Sequence, residues 1–185
     1  MENKLIDRIY WGDMTSHSNY LYGSTIKYSG SSVCFENPYF AAGKAIKTWR
    51  SKTHYQAHRV SPSLPILVPG ASYRVEKDFS SVPEHTCYLQ IQYLNRQEEV
   101  IGTEILKKDD HNFTYPKDAY TYVIKLVGAG CQQVTFRSLA LYGAESNTTI
   151  HLSVESKHLY KTSTLPPELD LVRNIIQIVD DEGVQ

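Results

Sequence analysis

The sequence predicts an all-β chain folded as a jelly-roll β-sandwich, and three observations carry that expectation. Fourteen tyrosines and many Val, Ile and Thr lie in short segments, and such side chains fit the half-buried pleated surface of a strand. Those segments are broken at intervals by Gly, Pro, Asn and Ser, the residues turns require. Up to Tyr142 apolar residues seldom recur at helical spacing, so there are no helices to make parallel crossovers.

Strands are expected first at Leu5 to Tyr10, Tyr20 to Tyr28, Ser32 to Phe35 and Ile46 to Ala57. In Val68-Pro69-Gly70, proline fixes φ at one turn position and glycine takes positive φ at the next, leading into a strand at Ser72 to Phe79. The clearest strand is Cys87 to Tyr93, where Leu89, Ile91 and Tyr93 alternate with Tyr88, Gln90 and Gln92. Period-two alternation makes one face core and the other wet. A polar turn at Asn95 to Glu99 then leads to Val100 to Leu106, which predicts an antiparallel hairpin. Tyr120 to Val127, Gln133 to Tyr142 and Thr149 to Val154 complete the strands.

Composition changes after Gly143, giving a sandwich domain at 1–145 and an extension at 146–185. Leu165-Pro166-Pro167-Glu168 opens a segment with Leu169, Leu171, Val172, Ile175, Ile176, Ile178 and Val179 at helical spacing, which predicts a short C-terminal helix at about 166–180. An apolar face that broad needs cover from its own sandwich or from a second chain. Leu169, Val172, Ile175, Ile176 and Val179 are therefore candidate partner contacts.

Charge narrows the function classes. Lys plus Arg number 19 against 20 for Asp plus Glu, leaving no cation surplus to displace counterions from a nucleic-acid backbone. No apolar run reaches the roughly 18 residues of a spanning helix, and the N-terminus lacks a signal-like pattern. A soluble cytoplasmic protein is expected. Cys34, Cys87 and Cys131 are odd in number and far apart, which fits reduced thiols and neither a disulfide framework nor a zinc site.

A search for catalytic patterns returns none. There is no GxSxG elbow, HExxH helix or GxxxxGK[ST] loop. His54 and His58 would lie about 13 Å apart in a strand, too far to share a metal. Gly128-Ala129-Gly130-Cys131 reads as a turn, and Asp109, Asp110 and Asn112 lack EF-hand spacing. No enzyme activity, metal or cofactor is expected.

Binding surface remains. Trp49 and Tyr55 share parity on the long strand, Tyr88, Gln90 and Gln92 share a wet face, and Arg137 interrupts the alternation of Val134, Phe136 and Leu139. Rings that stack on a sugar's C–H face, beside amide and guanidinium groups for its hydroxyls, make these six a candidate carbohydrate-binding set. The competing role is ordinary core and cross-strand packing.

An ordered series of motifs points further: Ile9-Tyr10-Trp11-Gly12-Asp13-Met14, Tyr20-Leu21-Tyr22-Gly23-Ser24, Phe35-Glu36-Asn37-Pro38, Tyr55-Gln56-Ala57-His58-Arg59 with Pro62-Ser63-Leu64-Pro65, Tyr93-Leu94-Asn95-Arg96-Gln97 and Phe113-Thr114-Tyr115-Pro116. Together they resemble the third accessory secretory protein family, the Asp-three family of the accessory Sec system. The resemblance implies a fold similar to a carbohydrate-binding module and a non-catalytic role in a Gram-positive system that modifies and exports serine-rich repeat glycoprotein adhesins. It further implies a cytoplasmic complex, peripheral at the membrane, with two companion accessory proteins, one glycosyltransferase-like and one acetyltransferase-like. The adhesin, the accessory SecA motor and a glycan complete the implied partners. A stand-alone carbohydrate-binding module and a jelly-roll enzyme such as a lyase or epimerase are the competing functions.

Overall fold

The computed structural model describes residues 3–52, 62–144, 159–161 and 177–179. The chain divides into two compact units, Met1–Ser146 and Asn147–Gln185.

The first unit is built from two antiparallel sheets. One contains β1 (Asn3–Ile9), β2 (Thr25–Ser29), β3 (Ser32–Glu36), β5 (Ser72–Val82), β8 (Asn112–Thr114) and β10 (Gln133–Ala144). The other contains β4 (Ala45–Arg50), β6 (Cys87–Leu94), β7 (Val100–Leu106) and β9 (Thr121–Gly128), in the order β4-β9-β6-β7. In the larger sheet β10 runs centrally, with β5 along one edge and β3 then β1 along the other. The inward faces share one apolar cluster in which Trp49 and Phe136, from opposite sheets, have ring centroids 5.3 Å apart. The described residues contain no helix.

Period-two burial in β6 is complete, with Cys87, Leu89, Ile91 and Tyr93 inside and Tyr88, Gln90 and Gln92 half-buried outside. The β6–β7 hairpin forms in continuous register from Leu89↔Leu106 to Tyr93↔Gly102. Gly70 sits at φ +81° while the Ala71 N–H donates to the Val68 carbonyl at 3.2 Å, so this turn needs a residue without a Cβ.

Two bulges change the parity that simple alternation implies. Between Ala45 and Lys47 the ladder to β9 slips by one, so Ile46 and Lys47 are both buried. Trp49 then pairs with the wholly buried Ile124, pointing into the core with 1% of its surface exposed. Between Phe136 and Ser138 the ladder to β5 slips again and Arg137 is the extra residue. A bulge resets which face a strand presents, and so Phe136, Leu139 and Leu141 all face inward.

Several expected boundaries move. Residues Leu21 to Ser24 form a turn, with the Ser24 N–H donating to the Leu21 carbonyl at 3.2 Å, and the strand begins only at Thr25. β4 ends at Arg50, short of the expected Ala57. The three-residue β8 carries too few residues to reveal a period. The expected strand at Thr149 to Val154 lies outside the described residues.

In the second unit, β11 (Leu159–Lys161) and β12 (Gln177–Val179) pair in parallel. The helix expected at about 166–180 lies outside the described residues except at Gln177–Val179, which is strand. There the β-branched Ile178 and Val179 favour an extended backbone, and Leu159–Lys161 supplies a ladder for it.

Candidate functional site

The outer face of the four-stranded sheet gathers residues from every strand of that sheet. Register places Thr48, Lys125, Gln90 and Ile105 in one cross-strand row and Arg50, Val123, Gln92 and Thr103 in the next. Rows form because directly paired residues in an antiparallel ladder share a face. Tyr88 extends the β6 column by one alternate position.

This face carries amides, hydroxyls and aliphatic surface, and its two rows contain two cations and no carboxylate. Burial lowers the proton affinity of Arg50, and burial together with the Arg50 charge lowers that of Lys125. The Arg50 Nη1 donates to the His17 carbonyl at 3.3 Å, which helps hold its guanidinium at the edge of the face. Donors, acceptors and a tyrosine ring on a rigid sheet suit a polyhydroxylated or anionic ligand.

The expected carbohydrate-binding residues are divided by the fold. Tyr88, Gln90 and Gln92 come together on this face. Trp49 does not, because its ring packs on Phe136 and its Nε1–H donates to the Tyr10 carbonyl at 2.8 Å. A sugar has no access to it. Arg137 lies on the other sheet, where its guanidinium is 3.3 Å from the Asp78 carboxylate. Tyr55 lies outside the described residues, as do Leu169, Val172, Ile175 and Ile176. Val179 is in β12. Among the described residues no three His, Cys, Asp or Glu side chains converge on a metal-sized site.

The structure adds residues that single-strand patterns did not select. Thr48, Arg50, Thr103, Ile105 and Lys125 each have the right parity, but only the register of four strands joins them. Tyr22 and Tyr39 are 87% and 96% exposed. Asn37 ties their turns together, its Nδ2 donating to the Tyr22 carbonyl at 3.0 Å and its Oδ1 accepting the Tyr39 N–H at 3.1 Å. Exposed tyrosines on anchored turns have the chemistry of protein-contact anchors. Their signal was the Tyr-Gly-Ser and Asn-Pro-Tyr turn sequences.

Residues 19–143 match the family model described as accessory Sec secretory system ASP3. The chain belongs to the ASP3 family. It is 36% identical over 142 residues to the accessory Sec system protein of that name from Streptococcus gordonii, covering 72% of this chain and 89% of that relative. Among solved structures, it matches a chain in the crystal structure of accessory secretory proteins 1, 2 and 3 of Streptococcus pneumoniae. That match has a TM-score of 0.69 and 34% identity, covering 74% of this chain and 94% of the other. A chain of the glycosylation-associated Gap123 complex from Streptococcus agalactiae matches with a TM-score of 0.68 and 32% identity, covering 96% of this chain and 60% of that one. This ASP3-family chain is thus a component of the accessory Sec system. No helix among its described residues is long and apolar enough to cross a membrane.

Proposed function

We propose that the chain is a non-catalytic scaffold in the cytoplasm, peripheral at the membrane through its complex. It holds two companion accessory proteins, one glycosyltransferase-like and one acetyltransferase-like, and engages a serine-rich repeat glycoprotein adhesin on its way to the accessory SecA motor. The observation carrying this reading is the match, over most of both chains, to a protein solved together with accessory secretory proteins.

Different residues serve the glycan and the companions. The outer face bearing Tyr88, Gln90, Gln92 and Lys125 takes the glycan of the adhesin, with amides addressing hydroxyls and the cations addressing anionic substituents. The turns displaying Tyr22 and Tyr39 serve a companion, as does the apolar set Leu169, Val172, Ile175, Ile176 and Val179.

Co-expression with the two companions, followed by size-exclusion chromatography with light scattering, tests the scaffold reading. Stable co-elution at a fixed stoichiometry is expected. A folded chain that elutes alone, yet binds glycans by itself, would replace this reading with a stand-alone carbohydrate-binding module.

A further inference from the structure

Cys87 opens β6, and its ladder partner is Gly128 at the end of β9. Gly128 has no Cβ, and the place one would take lies 2.7 Å from the sulfur of Cys131. Paired residues in an antiparallel ladder hold their Cβ positions about 4.5–5.5 Å apart, so the Cys131 sulfur rests beside the Cys87 side chain. The neighbouring thiols shift each other's ionisation, Cys87 upward and Cys131 downward. Backbone bonds fix the turn on both sides of the pair: Ala129 N–H to the Thr86 carbonyl and Gln132 N–H to the Val82 carbonyl, each 2.7 Å.

The pair is reachable from one side. Cys87 is 9% exposed and lines a cleft of about 680 Å3, where Lys77, Lys108, His85 and His111 stand against Glu84 and Asp109. Lys108 Nζ stands 3.1 Å from His85 Nε2 in its wall. Cys131 is 1% exposed. We infer that Cys87 and Cys131 are a redox-convertible dithiol, closed to a disulfide by a small anionic disulfide such as glutathione disulfide entering this cleft.

The chemistry balances in two exchanges. Cys87 gives up its proton, and its sulfur attacks the oxidant, forming a mixed disulfide and releasing one thiol. Cys131 gives up its proton, and its sulfur attacks that of Cys87, expelling the second thiol. One S–S bond of the oxidant is lost and one is gained by the protein, and both protons leave on the released thiols. The neighbouring Cys131 thiol and burial hold the Cys87 thiol well above the usual thiol range, so the first exchange is slow and needs excess oxidant. Cys34, on β3, accepts a hydrogen bond from the Gln133 amide at 3.3 Å and serves as an internal control.

The test treats the full chain with excess glutathione disulfide, alkylates the remaining thiols and measures intact and peptide masses. Expected are one alkylatable thiol, at Cys34, a cross-linked Cys87–Cys131 peptide, and a melting temperature raised by about 5 °C that dithiothreitol restores. Cys34→Ser should form the same cross-link. Cys87→Ser, checked to melt cooperatively, should leave Cys131 free of glutathione. Three alkylatable thiols, glutathione retained on Cys87, or a cross-link to Cys34 would each overturn the inference.

Discussion

Arg137 stands where the ladder between β10 and β5 slips by one residue, and its guanidinium lies 3.3 Å from the carboxylate of Asp78. The slip matters more than the ion pair. It brings Leu139 and Leu141 onto the face that Phe136 already occupies. The pair has side chains 62% and 53% exposed, and exposed pairs contribute little. Arg137→Ala is therefore expected to change unfolding stability by no more than about 0.5 kcal/mol in urea titration. Deleting Arg137 removes the extra residue and leaves Leu139 and Leu141 at even spacing from Phe136 on the same inward face, so the cooperative transition is expected to survive that deletion.

Trp49 is a core residue, and its substitution should read as loss of stability. Trp49→Ala is expected to cost about 3–5 kcal/mol, from lost burial and the cavity left against Phe136. Trp49→Phe keeps a ring but leaves the Tyr10 carbonyl without its donor, at a cost of about 1–3 kcal/mol. Chemical denaturation checks both. Adhesin binding by the Trp49→Phe variant should match wild type at temperatures where it stays folded.

Lys47 imposes a pH signature. Its ammonium is buried among the Asp13 carbonyl at 3.0 Å, the Ser18 hydroxyl at 3.2 Å and the Trp11 ring, and burial lowers its pKa from 10.5 to about 8. Below pH 8 both folded and unfolded chains carry the proton. Between about 8 and 10.5 the unfolded chain holds a proton that the folded chain has released, so this group makes stability rise with pH. Burial raises the pKa of Tyr93 and Tyr122, so the folded chain keeps phenol protons that the unfolded chain loses, which opposes that rise once unfolded tyrosines ionise near pH 10. Unfolding measured from pH 7 to 10.5 should show wild type gaining stability relative to Lys47→Met. A constant difference would remove Lys47 as the cause.

Deleting Leu165 to Gln185 is expected to weaken co-elution with a companion protein while lowering the sandwich melting temperature by less than about 3 °C, under 1 kcal/mol for a domain of this size. Calorimetry beside size-exclusion chromatography compares the two effects. A large melting shift with intact assembly would assign the apolar set Leu169 to Val179 to the protein's own packing.

The β6–β7 hairpin was legible in the sequence because Leu89, Ile91 and Tyr93 alternate without interruption with polar neighbours. β8 was not, since Asn112–Thr114 is too short to show a period. The sequence left Trp49 open between ligand contact and core, because the bulge before Lys47 shifts strand parity in a way residue types alone do not announce. Arg137 did carry a signal: it interrupts an apolar alternation, which marks a bulge as readily as a ligand contact. The candidate face was half legible, with Tyr88, Gln90 and Gln92 read from one strand. Arg50 and Lys125 joined them through pairings between residues far apart in sequence, which no local pattern encodes.

Within the proposed scaffold, the outer face of the four-stranded sheet is the part assigned to the adhesin glycan. The most direct test of that assignment is the affinity of the assembled complex for glycosylated serine-rich repeat peptide, measured by calorimetric titration, with Tyr88→Ala, Gln90→Ala and Gln92→Ala combined in this chain. Losing three partly buried contacts predicts at least about tenfold weaker binding, with assembly and melting temperature retained. Unchanged affinity in a folded, assembled variant would contradict the account.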